Sequence, residues 1–187
     1  MAKKATIHRI VNSVIMMTLA TGLWFGYQKL DQYQEQEKDQ AEIAKIVVDE
    51  GFRRCVYRDS LGFKTIGFGH LVKKGESFKC ITPEDAVELL RADYAYAKES
   101  VKKNYPWASG EAQRVLVNLT FQLGENRLAK FKKTLTYMEQ GDYYKAAGEL
   151  LDSKLHRQTP KRLERHAGRL LALAEDIEGE SIWHNQL

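Results

Sequence analysis

The stretch that decides the fold runs from Glu50 to His70 and reads EGFRRCVYRDSLGFKTIGFGH. A helical pattern ends at Glu50, because the next residue, Gly51, is a type common just past a helix end. The segment after it predicts a hairpin, with one strand at Val56-Tyr57, a turn region from Asp59 to Gly62, and a returning strand from Phe63 to Phe68. The stretch therefore predicts a helix that delivers a carboxylate beside a small β-hairpin.

Three residues of this stretch carry side chains suited to glycoside hydrolysis. Glu50 and Asp59 enclose eight residues, and Asp59 and Thr65 enclose five. The partially negative end of a helix and partial burial both disfavour an ionised Glu50, so it is predicted to stay protonated and to act as general acid. Asp59, on a polar turn, is predicted to stay ionised and to orient or activate a water that the Thr65 hydroxyl holds.

The stretch resembles the family of phage lysozymes typified by the lysozyme of T-even coliphages, glycoside hydrolase family 24. The resemblance rests on the spacing of Glu50, Asp59 and Thr65, which Ile66-Gly67-Phe68-Gly69-His70 follows. Two later blocks continue it in the same order, Asn118 to Glu125 and Gln158-Thr159-Pro160, and it covers about residues 41–177. The resemblance implies an α+β, lysozyme-like two-lobed fold that is mainly helical, with a small hairpin lobe, a connecting helix and a larger helical lobe.

The resemblance also implies a function. A member of this family is expected to be an endolysin, a muramidase that hydrolyses the β-1,4 bond between N-acetylmuramic acid and N-acetylglucosamine in peptidoglycan and so lyses the host cell. Inversion is expected, with carboxyl groups about 6.5–9.5 Å apart. Two other classes remain open: a lytic transglycosylase acting on the same bond, and a non-catalytic, membrane-tethered protein that binds the cell wall.

Substrate contacts are implied only where the residues match the family pattern. The matching positions are Leu71, Phe121, Gln122 and Thr134, the last of which replaces a serine with another hydroxyl residue. A family asparagine contact falls at Glu149, where this chain departs from the family pattern. His70 is predicted to be a structural histidine that holds the hairpin to the next element.

Composition limits the other possibilities. At 187 residues the chain can bury one substantial core, and 29 Lys plus Arg against 25 Asp plus Glu give a net charge of +4, too mild to indicate nucleic-acid binding. Cys55 and Cys80 match no metal-ligand spacing and the five histidines are scattered, so no metal or cofactor is predicted. In an exported chain the two cysteines could form a disulfide, and two unpaired thiols are an equal alternative. A monomer is expected.

The N-terminus predicts a membrane segment. Lys3, Lys4 and Arg9 precede Ile10–Gln28, which carries no charge over 19 residues and would span about 28 Å as a helix. Acidic residues follow it, which favours a cytoplasmic N-terminus and export of the remainder. A cleaved signal peptide, a stable anchor and a signal-anchor-release segment are the alternatives. The last resembles a subset of phage lysozymes and is favoured here, which predicts the host inner membrane followed by release to the periplasm.

The remaining chain divides into four predicted parts: the membrane segment at residues 1–28, a polar linker or exposed helix at 29–40, the catalytic domain at 41–180 and a loose tail at 181–187. Thr82 is predicted to cap a long helix with Pro83 in its first position, and Ser109 to open another. Basic side chains in the last helices are predicted to form a solvated face or to attract the wall; they are Lys154, Arg157, Lys161, Arg162, Arg165 and Arg169.

Overall fold

The computed structural model describes the backbone of residues 2–59 and 62–184 and the side chains of residues 23–59 and 62–179. The chain divides into two compact units, Met1–Lys45 and Ile46–Leu187. The predicted tail at residues 181–187 has no described side chains, but a helix continues as far as His184. A loose tail is therefore wrong for residues 181–184, a stretch without Pro or Gly that lets the preceding helix continue.

Helix α1, Ala2–Glu50, forms the first unit and ends in the second. It runs without interruption through residues 29–40, so the exposed helix is the correct alternative to a linker there. The reason is compositional, because residues 27–50 contain no Gly or Pro and are rich in Gln, Glu, Lys and Ala. Glu35 pairs with Lys38 at 3.5 Å and Glu42 with Lys45 at 3.0 Å, both at i,i+3 spacing.

The predicted membrane segment lies largely before the first described side chain. Among the described residues, no helix combines the length and the apolar character needed to cross a membrane. Residues 10–22 of the predicted segment lie outside the described side chains. From residue 23 onward, α1 exposes a run of large apolar side chains: Leu23, Trp24, Phe25, Tyr27, Leu30 and Tyr33.

The second unit carries the predicted hairpin and a further strand. Its strands are β1 (Arg53–Arg58), β2 (Lys64–Gly67) and β3 (His70–Leu71), which form an antiparallel sheet in that order. The turn between β1 and β2 closes where the Gly62 amide donates to the Asp59 carbonyl at 3.0 Å. In the register of the sheet, Thr65 lies opposite Tyr57 on one side and Leu71 on the other. The hairpin is therefore confirmed, and β3 was not predicted.

A disulfide ties this sheet to the segment that precedes the next helix. Cys55 and Cys80 are bonded, which selects the paired alternative for the two cysteines. Backbone hydrogen bonds flank the bridge, from Val56 N to Lys79 O at 3.1 Å and from Ile81 N to Arg54 O at 2.9 Å. The bridge encloses the turn at Asp59 and all of β2 and β3.

Removing the bridge with Cys55→Ser and Cys80→Ser together is expected to destabilise the protein by about 3 kcal/mol, because a cross-link between residues 25 apart restricts the unfolded chain. Thermal unfolding of the wild type with and without reductant checks this. The double variant serves as the control, since its unfolding temperature should not respond to reductant. A wild type that also fails to respond would contradict the prediction.

The remaining elements are helices. They are α2 (Pro83–Asn104), α3 (Gly110–Leu123), α4 (Glu125–Leu128), α5 (Lys132–Glu139), α6 (Tyr143–Leu151), α7 (Lys154–Gln158) and α8 (Pro160–His184). As predicted, Thr82 caps α2 in a capping box with Asp85, and Pro83 is its first residue. Helix α2 contacts β2, β3 and α3, as expected of the connecting helix.

Helix α3 occupies the centre of the helical part. Its residues 115–120 are all buried, and α2, α4 and α8 contact it. The predicted burial of Val115, Leu116 and Leu119 is confirmed, and Phe121 is half-buried. Helix α8 packs against α6, α7 and α3, and buries Leu163 and Leu170 completely. This packing fixes α8 against the core and brings its first turns towards the end of α1.

Candidate active site

Glu50 lies where α1 ends and the sheet begins. Gly51 adopts a φ of +68°, a left-handed conformation that suits glycine and turns the chain out of the helix. Glu50 Oε1 accepts a hydrogen bond from Arg162 Nη1 at 2.7 Å. Its Oε2 lies 3.6 Å from the position that a Cβ would take at Gly69, a residue with a φ of +90°. The carboxyl group is therefore held between α8 and the turn joining β2 to β3.

Asp59 and Thr65 lie at the turn end of the hairpin and share Phe63 as a hydrogen-bond partner. Asp59 Oδ1 accepts from the Phe63 amide at 2.9 Å, and the Asp59 amide donates to the Phe63 carbonyl at 3.0 Å. Thr65 is buried in β2, and its hydroxyl donates to the same Phe63 carbonyl at 3.3 Å. Phe63 thus fixes the positions of both predicted site residues.

The phenol of Tyr57 is affected by the charges of both predicted carboxyl groups. Burial raises the pKa of the Tyr57 phenol above its ordinary value, the Arg53 guanidinium acts in the opposite direction, and the negative charges of Glu50 and Asp59 add to the increase. Both carboxylates therefore lie within electrostatic reach of this phenol. Thr65 lies opposite Tyr57 on the neighbouring strand, so all three predicted site residues are linked to Tyr57, two through their charges and one through the register of the sheet.

Arg162 is a site residue that the sequence interpretation missed. Its side chain is only 7% exposed, and besides Glu50 it approaches Asp49, with Nε 3.3 Å from Oδ2. Arg165 also pairs with Asp49, and Arg169 pairs with Glu111.

A solvated face is therefore the wrong interpretation for Arg162, since packing buries it against the end of α1. The signal was present in the sequence. Arg162, Arg165 and Arg169 follow i, i+3, i+7 spacing and so share one face of α8.

The predicted substrate contacts fall in different places. Leu71 is exposed on β3 beside Thr65, and Phe121 is half-buried on α3. Gln122 Nε2 donates to Thr159 Oγ1 at 3.1 Å, which joins two of the sequence blocks that carried the resemblance.

Thr134 lines an open depression of about 290 Å³ between α5 and α6, whose lining includes none of Leu71, Phe121 and Gln122. Glu149 lies in the same depression and pairs with Lys133 at 3.2 Å. The position at which the resemblance implied an asparagine is therefore occupied by a glutamate that forms an ion pair with a lysine.

The comparisons with known proteins agree with this arrangement. The family model described as Phage lysozyme matches residues 48–166, which include Glu50, Asp59, Thr65 and Arg162. The chain belongs to the phage lysozyme family. As a phage lysozyme it is a glycoside hydrolase, a muramidase, and peptidoglycan is its substrate. The α+β arrangement of helices around a small antiparallel sheet is the lysozyme-like fold.

Individual relatives of this phage lysozyme come from different sources. Probable T4-type lysozymes 1 and 2 of Dictyostelium discoideum are 28% and 30% identical to it over 145 residues, which cover 63% of this chain and 85% of each relative. The pre-baseplate central spike protein Gp5 of Enterobacteria phage T4 is 32% identical over 144 residues, 63% of this chain but 25% of that larger protein.

His70 has the structural role predicted for it in the phage lysozyme. It is buried, with Nδ1 2.6 Å from Asp93 Oδ2 on α2 and Nε2 3.0 Å from Glu76 Oε2. These contacts attach β3 to α2, the next long helix. Among the described side chains, no group of three or more His, Cys, Asp or Glu could hold a metal ion.

Replacing Glu76 with glutamine is expected to lower the unfolding temperature at neutral pH but not in acid. A hydrogen bond from the Lys73 amide at 2.7 Å, and then one from His70, hold the pKa of Glu76 below its ordinary value. A carboxyl with a lowered folded pKa stabilises the protein above its unfolded pKa, and this stabilisation is lost as the pH falls through the folded value.

Thermal unfolding of wild type and Glu76→Gln between about pH 7 and pH 3 checks this, a range that brackets the ordinary pKa of a glutamate. The difference in unfolding temperature should shrink as the solution is acidified. A difference that stays constant over the range would contradict the role given to the Glu76 carboxylate.

Proposed function

We propose that this lysozyme is an endolysin that hydrolyses the β-1,4 bond between N-acetylmuramic acid and N-acetylglucosamine and so causes lysis of the host cell. Glu50 is the general acid, Asp59 positions or activates the attacking water, and Thr65 holds that water. One observation carries the proposal: Thr65 is the cross-strand partner of Tyr57, whose phenol also lies within electrostatic reach of the Glu50 and Asp59 carboxylates. Two carboxyl groups and a hydroxyl held around one small sheet are the parts that this reaction needs.

The reaction divides between the two carboxyl groups. Glu50 gives its proton to the glycosidic oxygen as the bond from that oxygen to the anomeric carbon breaks. Asp59 takes a proton from the water, whose oxygen bonds to the anomeric carbon from the opposite face, so the product is inverted. Arg162, 2.7 Å from Glu50 Oε1, then stabilises the carboxylate that proton transfer leaves behind.

Product analysis tests the reaction. Purified peptidoglycan digested by the enzyme should yield N-acetylmuramic acid at the new reducing end, first formed as the inverted anomer. Anhydro-muramic products would select a lytic transglycosylase, which needs one catalytic acid and no attacking water. Products with retained configuration would show that the second carboxylate acts as a nucleophile.

Leu71, Phe121, Gln122 and Thr134 are proposed to bind the substrate. Leu71 has the strongest support, because its side chain is 48% exposed and it pairs with Thr65 across β2 and β3. The Gln122 amide nitrogen donates a hydrogen bond to Thr159, while the buried Oε1 of Gln122 has no hydrogen-bond partner among the described residues. That oxygen can accept from a sugar hydroxyl or acetamido group. Thr134, which is buried, offers its hydroxyl at the edge of the depression between α5 and α6.

Residues 1–28 are proposed to be a signal-anchor-release segment. The enzyme would enter the host inner membrane with its N-terminus in the cytoplasm and later leave for the periplasm. The uncharged stretch Ile10–Gln28 supports insertion, and so do the exposed apolar side chains from Leu23 to Tyr33. Asn12, Ser13, Thr18, Thr21 and Gly22 dilute the apolar residues of the stretch and lower the cost of leaving the lipid.

The tethered form is proposed to be inactive, because the membrane segment and Glu50 belong to one helix, α1. Fractionation of cells expressing the full chain alone tests both ideas. The protein should move from the membrane to the periplasmic fraction when the membrane potential is collapsed, and muramidase activity should appear with it. Equal activity in the two fractions would refute the inactive tether, and a protein that never leaves the membrane would refute release.

The catalytic domain is proposed to comprise residues 41–180 and to act as a monomer. One chain supplies Glu50, Asp59, Thr65 and Arg162, so the site needs no residue from a second copy. Light scattering of the released protein should give the mass of one chain. A dimer that keeps full activity at all dilutions would refute the monomer.

A further inference from the structure

Tyr57 lies in the site, but the roles given to the three predicted residues assign it no function. It lies directly opposite Thr65 in the register of β1 and β2, so the two side chains project from the same face of the sheet. Asp59 follows Tyr57 by two residues, at the turn that ends the strand. Tyr57 therefore stands beside both groups that the proposed mechanism assigns to the attacking water.

Asp59 and Thr65 together do not satisfy all the hydrogen-bonding positions of the attacking water, which still lacks a donor. The Thr65 hydroxyl donates its single hydrogen to the Phe63 carbonyl at 3.3 Å, so towards a water it can only accept. An ionised Asp59 can also only accept. A water held by both uses its two hydrogens, one for each partner. One of its two lone pairs attacks the anomeric carbon, and the other needs a donor.

We propose that Tyr57 is a further catalytic residue, whose phenol hydroxyl donates a hydrogen bond to the attacking water and so completes its orientation between Asp59 and Thr65. This inference rests on the proposed function. The hydroxyl remains a donor throughout, and no proton leaves it: Asp59 takes the proton of the water, as in the mechanism above.

Two observations support the assignment. Arg53 lies over the Tyr57 ring, with its guanidinium carbon 5.1 Å from the ring centroid, so one face of the ring is covered. That contact restrains the ring and leaves its hydroxyl free of the Arg53 guanidinium. Burial and the charges of Glu50 and Asp59 raise the pKa of Tyr57, so the phenol keeps its proton wherever Asp59 is ionised and the enzyme works.

The test is Tyr57→Phe in the full-length enzyme, assayed on purified peptidoglycan. Phenylalanine keeps the ring and its contact with Arg53 and removes only the hydroxyl. We expect kcat to fall about tenfold, the order expected when one hydrogen bond is lost from a reacting group, with KM and the unfolding temperature unchanged. Tyr144→Phe is the matched control, because the Tyr144 hydroxyl contacts Glu178 and its loss should leave kcat as in the wild type.

A double variant distinguishes a loss of kcat that arises at the attacking water from one that arises elsewhere in the enzyme. Tyr57→Phe and Thr65→Val act on the same water, so together they should cost less than the product of their separate effects on kcat. An unchanged kcat in Tyr57→Phe would overturn the inference. Independent, multiplicative effects in the double variant would do so as well, and so would a raised KM at constant kcat, which indicates a substrate contact.

The proposed function can be refuted independently of the role of Tyr57. Full activity in Glu50→Gln would refute the general acid whatever Tyr57 does. If Glu50→Gln is inactive but Tyr57→Phe keeps the wild-type kcat, the proposed function stands and only the role of Tyr57 is refuted.

Discussion

Replacing Glu50 with glutamine is expected to abolish peptidoglycan hydrolysis while the protein keeps its fold. The amide has the size of the carboxyl but no proton to give to the leaving oxygen, and general acid catalysis contributes about 10² to 10⁴ in rate. The amide oxygen can still accept the hydrogen bond that Arg162 Nη1 gives to Glu50 Oε1 at 2.7 Å. Turbidity loss of a cell-wall suspension measures the activity, and circular dichroism measures the fold.

Glu99→Gln is the matched control. Glu99 lies on α2 with its side chain 73% exposed and paired to Lys102, outside the site. Both variants lose one negative charge, so a general effect of charge on binding to the wall would appear in both. Activity in Glu50→Gln equal to that of Glu99→Gln would refute the assignment of the general acid.

Replacing Arg162 with methionine is expected to destabilise the protein by about 3–5 kcal/mol and to reduce activity. Arg162 is buried and is the cation facing both Asp49 and Glu50 at the end of α1. Methionine fills much of the space but leaves the Glu50 carboxylate, 26% exposed, without the guanidinium. Urea unfolding measures the stability, and the wall assay measures the activity. The loss of activity follows because the carboxylate left on Glu50 after proton transfer is no longer stabilised.

Three further variants make this result specific. Arg162→Lys keeps the charge but not the forked geometry, and should fall between wild type and Arg162→Met. Arg91→Met removes an arginine that pairs with the exposed Glu88, so it should cost less than about 1 kcal/mol. In a Glu50→Gln background, Arg162→Met should cost less than in the wild type, because the Glu50 charge that the loss of Arg162 leaves unpaired is already gone, while Asp49 keeps Arg165. Equal costs in both backgrounds would contradict the pairing of Arg162 with Glu50.

Local sequence was enough to predict the elements that carry the site. Gly51 ends α1 because only a residue without a Cβ takes its φ of +68° at little cost. Thr82 and Pro83 start α2 because the cap and the first helical position are chosen by backbone chemistry within one turn. The hairpin followed from alternation and a turn sequence. Each of these signals depends on residues only a few positions apart.

Contacts between distant residues could not be predicted in the same way. Arg162 and Glu50 are 112 residues apart, and the shared face of Arg162, Arg165 and Arg169 does not show which arginine is buried or which carboxylate it meets. The strand β3 is only two residues long, too short to show a pattern of alternation. The pairing of Cys55 with Cys80 stayed open because sequence does not show whether two cysteine side chains come within bonding distance.

The sequence by itself determined the family and the fold class, and it predicted the two carboxyl groups and the threonine of the site, because their spacing and the glycine that ends α1 are properties of one short stretch. Only the tertiary structure decided what surrounds them. Packing of α8 against the core brings Arg162 to Glu50, and the register of β1 and β2 places Tyr57 opposite Thr65. Ion pairs and cross-strand neighbours depend on how distant segments fold together, and no local pattern encodes that.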